Sequence, residues 1–455
     1  MEHTKGSLKS TIAVSLTNYL DAGAIVAGAS GLTLWQNYLG LNEGHLGWLN
    51  ALSANAFGAA IGAIFGGFLA DKYGRKTIYS YNMLVYMLGI AIIMFTVNFP
   101  MLLIGFMVTG ISVGVGVPAS WTYISENSEA GNRGKNMGIS QFAWGVGPMI
   151  ILLLGMLLAP GKADASAGVL FSYVQKIASF IIGNDASVDA INVFSSRIIF
   201  GSLLVVAFIA WNLQRKLNES KDWEAAKKLQ TNEKQPGIFA SFGTLFTNKV
   251  NIRTMLFLAG IYISWNMVAS VMGFFQQHIY ETAGGLSNGE ANMITAVQWI
   301  VIITVTYFGF AMLVDKVNQR LLYFFGTSIG VVAWGILIFI GIKNHLALWT
   351  FTILWGIHAG ISVQAFYALW ASELFPAKYR AAAQGIMFFA VRSIAAVWGL
   401  GFVNIYGKNG EGFYTAACIM IGLLLVALII GAIWTPKTQG KSLQQISKER
   451  YGEDL

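Results

Sequence analysis

Twelve apolar stretches, each close to the length needed to cross about 30 Å of hydrocarbon, leave this chain little choice but a bundle of membrane-spanning helices. They run through 11–36, 46–70, 77–96, 100–125, 136–158, 192–213, 254–276, 291–314, 321–342, 346–372, 381–404 and 412–434. A mean hydropathy of +0.60 lies outside the soluble globular range. The 51 glycines among 455 residues match the small-residue enrichment of packed membrane helices. The expected fold is an all-α membrane protein of twelve transmembrane helices in two six-helix, pseudo-repeated halves. Residues 1–212 and 254–435 form the halves, 213–253 a polar central loop, and 436–455 a tail.

Charge sets the orientation. Of 29 Lys and Arg, only Lys162, Lys176, Arg197, Lys343 and Lys408 fall in the loops on one side, and Arg392 lies inside a span. The rest gather on the other side, which the positive-inside rule makes cytoplasmic, with both termini there. The net charge of +8 therefore needs no nucleic acid to explain it. Met1–Lys9 is polar and runs straight into a full-length span, so a multi-pass protein of the plasma (inner) membrane is expected, without a removable signal. A single cysteine, Cys418, excludes an internal disulfide and a thiolate metal site. No cofactor or metal is expected. With no nucleophile and base pair in evidence, neither is an enzyme.

The halves echo each other. "GFLADKYGRK" at 67–76 returns as "AMLVDKVNQR" at 311–320, an offset of 244 from Asp71 to Asp315. "SENSEAGNRGKNMG" at 125–138 returns as "SELFPAKYRAAAQG" at 372–385, an offset of 247 from Glu126 to Glu373. Two matches in order at nearly one offset indicate duplication, as in transporters with a midplane site between halves. Gly67, Asp71, Gly74, Arg75 and Lys76 then read as one side of a conformational latch. Glu126, Arg133, Asp315, Arg320, Glu373 and Arg380 supply its other parts, and Gly74 makes the turn between spans. Gly58, Gly62 and Gly66, with Gly110 and Gly114, form small-residue stripes for close helix packing. "SYVQKIASFII" at 172–182 is patterned as a short interfacial helix in the long outer loop.

"GFLADKYGRKTIY" resembles the signature between helices 2 and 3 of the major facilitator superfamily. "YISENSEAGNRGK", "SSRIIFG", "NESKDWEAAKK" and "TPKTQGKSLQQI" are similar to stretches of its sugar porter branch, so the resemblance spans nearly the whole chain. It implies alternating access and a substrate site between the halves, with Gln141 in the place of a glutamine that meets sugar hydroxyls. It also implies a proton-coupling role for Asp21. The chain departs from the branch at Pro148, at Leu258 and Ala259, at "QAFYA" (364–368), and at Phe106, where proton-coupled members carry an arginine facing the helix 1 aspartate.

Charge within hydrocarbon is costly and usually faces an aqueous path or a partner. Asp21 lies about 15 Å into the first span, with Asn18 on the same face. Arg392 lies about 18 Å beyond Arg380, near the level of Asp21, as a clamp for an anionic substrate, a partner of Asp21 or a partner within the bundle. His358 is either a proton relay or a neutral packing residue. Asn55, Asn266, Gln276, Gln298, Gln364 and Tyr367 complete the candidate substrate contacts.

The expected function is secondary active transport of a small polar metabolite, a sugar, polyol or sugar acid, by a monomer in the lipid bilayer and with protons in symport. An uncoupled facilitator or exporter, or a nutrient sensor on a transporter scaffold, are the alternatives.

Overall fold

The computed structural model describes residues 2–452 except 42–44, 46, 47, 50, 51, 53–55, 130, 162–166, 230–242, 244, 287, 408 and 409. The described residues are helical almost throughout. In the first half these are α1 (Glu2–Ser30), α2 (Leu32–Leu39), α3 (Phe57–Tyr73), α4 (Arg75–Met94), α5 (Phe99–Glu126), α6 (Arg133–Leu158), α7 (Phe171–Ile182) and α8 (Val188–Gln214). The central segment holds α9 (Lys221–Leu229). The second half comprises α10 (Lys249–Thr282), α11 (Asn288–Val305), α12 (Gln319–Phe339), α13 (His345–Ile361), α14 (Val363–Glu373), α15 (Arg380–Tyr406) and α16 (Phe413–Trp434), and the tail adds α17 (Leu443–Tyr451). Among the described residues, eleven helical segments are long and apolar enough to cross a membrane. Of the second span, expected over 46–70, residues 46, 47, 50, 51 and 53–55 lie outside the described residues.

Side-chain caps fix several starts. Asn98 accepts from Met101 N–H at the head of α5, beside Pro100. Asn318 accepts from Arg320 and Leu321, and Asn344 from Leu346 and Ala347, so orphan donors at the helix starts find partners. Two spans depart from regular helix. α11 runs on as a π-helical segment, Thr306–Ala311. The tenth span, expected as one helix over 346–372, is divided at Ser362 into α13 and α14.

The packing repeats across the two halves. In the first, α1 packs on α6 and α8, α5 on α3 and α4, and α4 on α8. In the second, α10 packs on α15 and α16, α13 on α11 and α12, and α12 on α16. The glycine stripes do what their spacing predicts: a Cβ at Gly62 would stand 2.7 Å from the carbonyl carbon of Ile111, and one at Gly114 would stand 2.7 Å from Ala63 N. Only hydrogen lets α3 and α5 approach so closely. Large apolar side chains such as Phe65, Leu88, Val205 and Phe325 stay exposed on the outside of the bundle, the inverse of a soluble protein and the arrangement lipid requires.

The halves meet along two related seams, α3 against α15, and α6 against α11 with its π segment. α7, the expected interfacial helix, buries Phe171, Val174 and Ala178 and exposes Tyr173 and Phe180.

Candidate functional site

Two polar layers lie on the interface between the halves. One is at the end of the bundle that carries both termini. Here Gly74 takes φ +101°, a conformation open to glycine, so that α3 stops and α4 starts within one residue. The turn buries Arg75, whose guanidinium meets Glu126 at 2.9 Å and Asp71 at 3.0 Å and donates to the Ala377 carbonyl of the other half at 2.7 Å. Glu126 also receives Arg380 at 2.6 Å. The related pair, Arg133 and Glu373, meets at 2.8 Å across the halves.

The two repeated aspartates work reciprocally. Asp71 of the first half accepts from Ala381 N–H at 3.2 Å and Ala382 N–H at 2.7 Å, in the first turn of α15. Asp315 of the second half accepts from Gly134 N–H at 3.1 Å and Lys135 N–H at 2.7 Å, in the first turn of α6. Each carboxylate thus satisfies orphan N–H groups and meets the positive end of a helix dipole. Glycine again makes the approach possible. A Cβ at Gly67 would stand 2.9 Å from the Ala381 carbonyl carbon, and one at Gly138 would stand 2.6 Å from Ala311 Cα. Burial pushes the Asp315 carboxyl above its ordinary value, against the lowering effect of its two N–H donors.

Two expected latch cations do not take part through their charges. Arg320 is exposed and gives Asn318 only its backbone N–H, and the side chain of Lys76 makes no ion pair among the described residues. A charge at the rim keeps its hydration, which a surface pair scarcely repays. Lys76 instead offers its backbone N–H to Glu219, which also accepts from Arg75 N–H at 3.0 Å. Trp223 of α9 donates to the Asp71 carbonyl at 2.7 Å. Both residues stand in "NESKDW", which carried the family resemblance but no expected role. The tail joins too, since the Lys441 carbonyl accepts from both terminal nitrogens of Arg133.

The second layer lies deeper in the bundle. Asp21 is 2% exposed, and neither carboxylate oxygen has a hydrogen-bond partner among the described residues. Arg392, 7% exposed on α15, lies within electrostatic reach of it and of Tyr262, with its guanidinium 4.8 Å from the centre of the Phe388 ring. The two charges expected at one level therefore belong to one neighbourhood. Phe106 packs edge-on to Phe200, 6.1 Å between centroids.

Gln364, in the first turn of α14, donates to Gln141 Oε1 of the other half at 3.0 Å. Among the described residues the Gln141 amide nitrogen has no partner, and the same holds for Asn266 Oδ1, Tyr367 OH and Trp121 Nε1, all in buried residues. The phenol and the indole belong to a group of aromatic rings. Tyr262 stacks on Tyr367 at 3.9 Å, and Trp121 of the first half meets Tyr367 edge-on at 5.9 Å and Phe388 at 6.3 Å. Trp121, Tyr262 and Trp265 had no distinguishing signal in a chain so rich in aromatic residues.

Other expected contacts bond within the bundle. Asn18 donates to Ser140 Oγ, which ties α1 to α6, while its Oδ1 has no partner among the described residues. Gln276 and Gln298 bond to each other in both directions, at 2.7 and 3.2 Å, and Gln276 also reaches Tyr280 OH. These amides hold α10 to α11. His358 is fully buried with both ring nitrogens engaged, by Trp265 Nε1 at 3.0 Å and by the Gly326 carbonyl at 2.9 Å, which is the packing alternative for this residue. Asn55 lies outside the described residues. Among the described residues no cluster of His, Cys, Asp or Glu could hold a metal ion.

Residues 11–400 match the model of the Major Facilitator Superfamily. The chain is 40% identical over 450 residues to the minor myo-inositol transporter IolF of Bacillus subtilis (strain 168), covering 98% of this chain and 94% of that protein. It is 23% identical to the niacin transporter NiaP of Acinetobacter baylyi, over 89% of this chain and 88% of that one. Among solved structures, the proton:xylose symporter XylE superposes with a TM-score of 0.75 at 16% identity, covering 98% of this chain and 99% of that one. FucP in its outward conformation gives 0.72 at 14% identity, over 94% and 99%. Both likenesses are of fold.

Proposed function

Since the chain belongs to the Major Facilitator Superfamily, we propose that it carries a small polyhydroxylated molecule, a cyclic polyol such as myo-inositol, between its halves by alternating access with a proton in symport. The observation that carries the substrate class is that Gln141 and Asn266, and the Tyr367 and Trp121 rings that pack on one another, each hold a buried polar atom with no partner among the described residues. Donors and acceptors on an aromatic floor suit a ring whose faces are apolar and whose rim is hydroxyl. The likeness to a myo-inositol transporter over 98% of the chain supports the same class.

Asp21 is the proton site in this reading. Protonated, it is neutral and acts as a hydrogen-bond donor; deprotonated, it draws on the field of Arg392 and favours a different arrangement of the halves. Arg392 serves as its counter-charge, and Gln364 with Arg392 lines the second half of the site. Asp71, Asp315, Glu126, Glu373 and the arginines they hold form the latch that closes one end and breaks when the halves rock. The basic latch end faces the cytoplasm with both termini, in the plasma membrane, and one chain is the working unit. The halves, 1–212 and 254–435, move as bodies about the 213–253 segment.

Proteoliposomes loaded at neutral pH and placed in acidic medium test this. Labelled myo-inositol should accumulate against its gradient, and Asp21→Asn should abolish accumulation while sparing equilibrium exchange. Myo-inositol that only equilibrates across the membrane, whatever the pH gradient and equally in Asp21→Asn, would refute the symport. That outcome would favour uncoupled facilitation, the reading suggested by Phe106 in place of the expected arginine.

A further inference from the structure

His358 has no task in transport as just described, yet its surroundings are unusually determined. Its Nδ1 lies 2.9 Å from the Gly326 carbonyl, which can only accept, so Nδ1 carries the proton. Nε2 then has a lone pair and accepts from Trp265 Nε1–H at 3.0 Å. Both nitrogens are spent in the neutral form, and a second proton on Nε2 would set one N–H against another.

The slot is shaped for this ring. A Cβ at Gly330 would stand 2.5 Å from Nδ1, and Trp355 lies against the imidazole at 4.8 Å between centroids. Trp265 in turn lies parallel to Tyr262 at 5.9 Å, Tyr262 stacks on Tyr367, and Tyr367 meets Trp121 of the other half. A chain of contacts therefore runs from the backbone of α12 through His358 to the rings of the central site.

We propose that His358 is a positioning residue: as a neutral Nδ1–H tautomer it fixes the Trp265 indole, and through it the Tyr262–Tyr367 stack that forms the substrate-binding wall. It passes no proton. The transport consequence rests on the central site proposed above, whereas the histidine–indole bond does not.

Two measurements on the full-length protein test it. With tryptophan labelled by 15N, Trp265→Phe identifies the Trp265 indole N–H among the 14 tryptophans. That resonance should shift in His358→Leu and return towards its place in His358→Gln, whose amide can accept from the indole and donate to the carbonyl. In myo-inositol uptake, His358→Leu and Trp265→Phe should raise KM by about tenfold with kcat and acid-driven accumulation retained, and His358→Gln should recover most of the loss. An unchanged resonance and KM in His358→Leu would overturn the proposal. So would a His358→Gln protein with ordinary KM that no longer accumulates substrate on a pH gradient, since that is the signature of a relay. If His358→Leu fails to fold, Trp265→Phe and His358→Gln carry the same two readouts. If the unaltered protein moves no myo-inositol, the cargo reading fails while the indole resonance still decides the role of His358.

Discussion

The two polar layers differ in how completely their carboxylates are satisfied. At the latch every carboxylate has partners: Asp71 holds two backbone N–H groups and Arg75, Asp315 holds two backbone N–H groups, and Glu126 and Glu373 hold guanidinium groups through Oε1 while their Oε2 atoms have no partner among the described residues. Deeper in the bundle, Asp21 holds none, and amide, phenol and indole atoms around the midplane are equally unpartnered. Burying a polar group without a partner costs about 1–3 kcal/mol, more for a charge. The deep carboxylate meets this cost in full, whereas each latch carboxylate offsets it with at least one ion pair or pair of N–H groups. In the function proposed above, the better satisfied layer holds one arrangement of the halves and the less satisfied layer takes a ligand or a proton.

Breaking the satisfied layer should have the largest effect. Glu126→Ala leaves Arg75 and Arg380 buried without their shared carboxylate, at a cost of about 3–5 kcal/mol to the latched state. Spin labels at the two ends of the seam should report an opened latch end, and uptake should collapse. A latched population equal to that of the unaltered protein would remove the latch from the account.

A smaller change is expected in the unsatisfied layer. Gln141→Ala deletes an amide that bonds Gln364 and keeps a donor in reserve, so KM for polyol should rise about threefold to tenfold with little change in melting temperature. A fall in stability with unchanged KM would move Gln141 from the second group to the first.

The smallest effect sharpens the comparison by pH. The Asp315 carboxyl sits above its ordinary value in the latched form because burial penalises its charge. Latched protein therefore binds this proton more tightly than opened protein, and acidification from above the raised value down to the ordinary carboxylate range favours the latch. Asp315→Asn should flatten that part of the latched fraction's pH profile, read by the same spin labels. An unaltered profile would take Asp315 out of the pH response.

The ion pairs and aspartate contacts proposed as a latch were largely legible because duplication writes them twice. Asp71 and Asp315, and Glu126 and Glu373, mark their own positions by recurring at offsets of 244 and 247. Depth along a helix likewise placed Asp21 and Arg392 at one level, since rise per residue is fixed. Direction around the helix axis was harder to read. Gln276 and Gln298 sit at plausible depths and turn to each other, while Trp121, Tyr262 and Trp265 belong to a class of residue that is equally common facing lipid. The division of the tenth span at Ser362 was hidden as well, because "AGISVQAF" contains no proline to announce it. Glu219 was passed over because its partners are backbone amides, which no side-chain pattern advertises.

The exchange of aspartates carries a historical implication. Each half lends the acid that closes a helix in the other, Asp71 to α15 and Asp315 to α6. A six-helix ancestor that paired with its own twin would have formed both contacts from a single gene. Fusion of two copies would have kept both contacts, and a later divergence placing Asp21 and Arg392 in opposite halves would have had a symmetric frame to depart from.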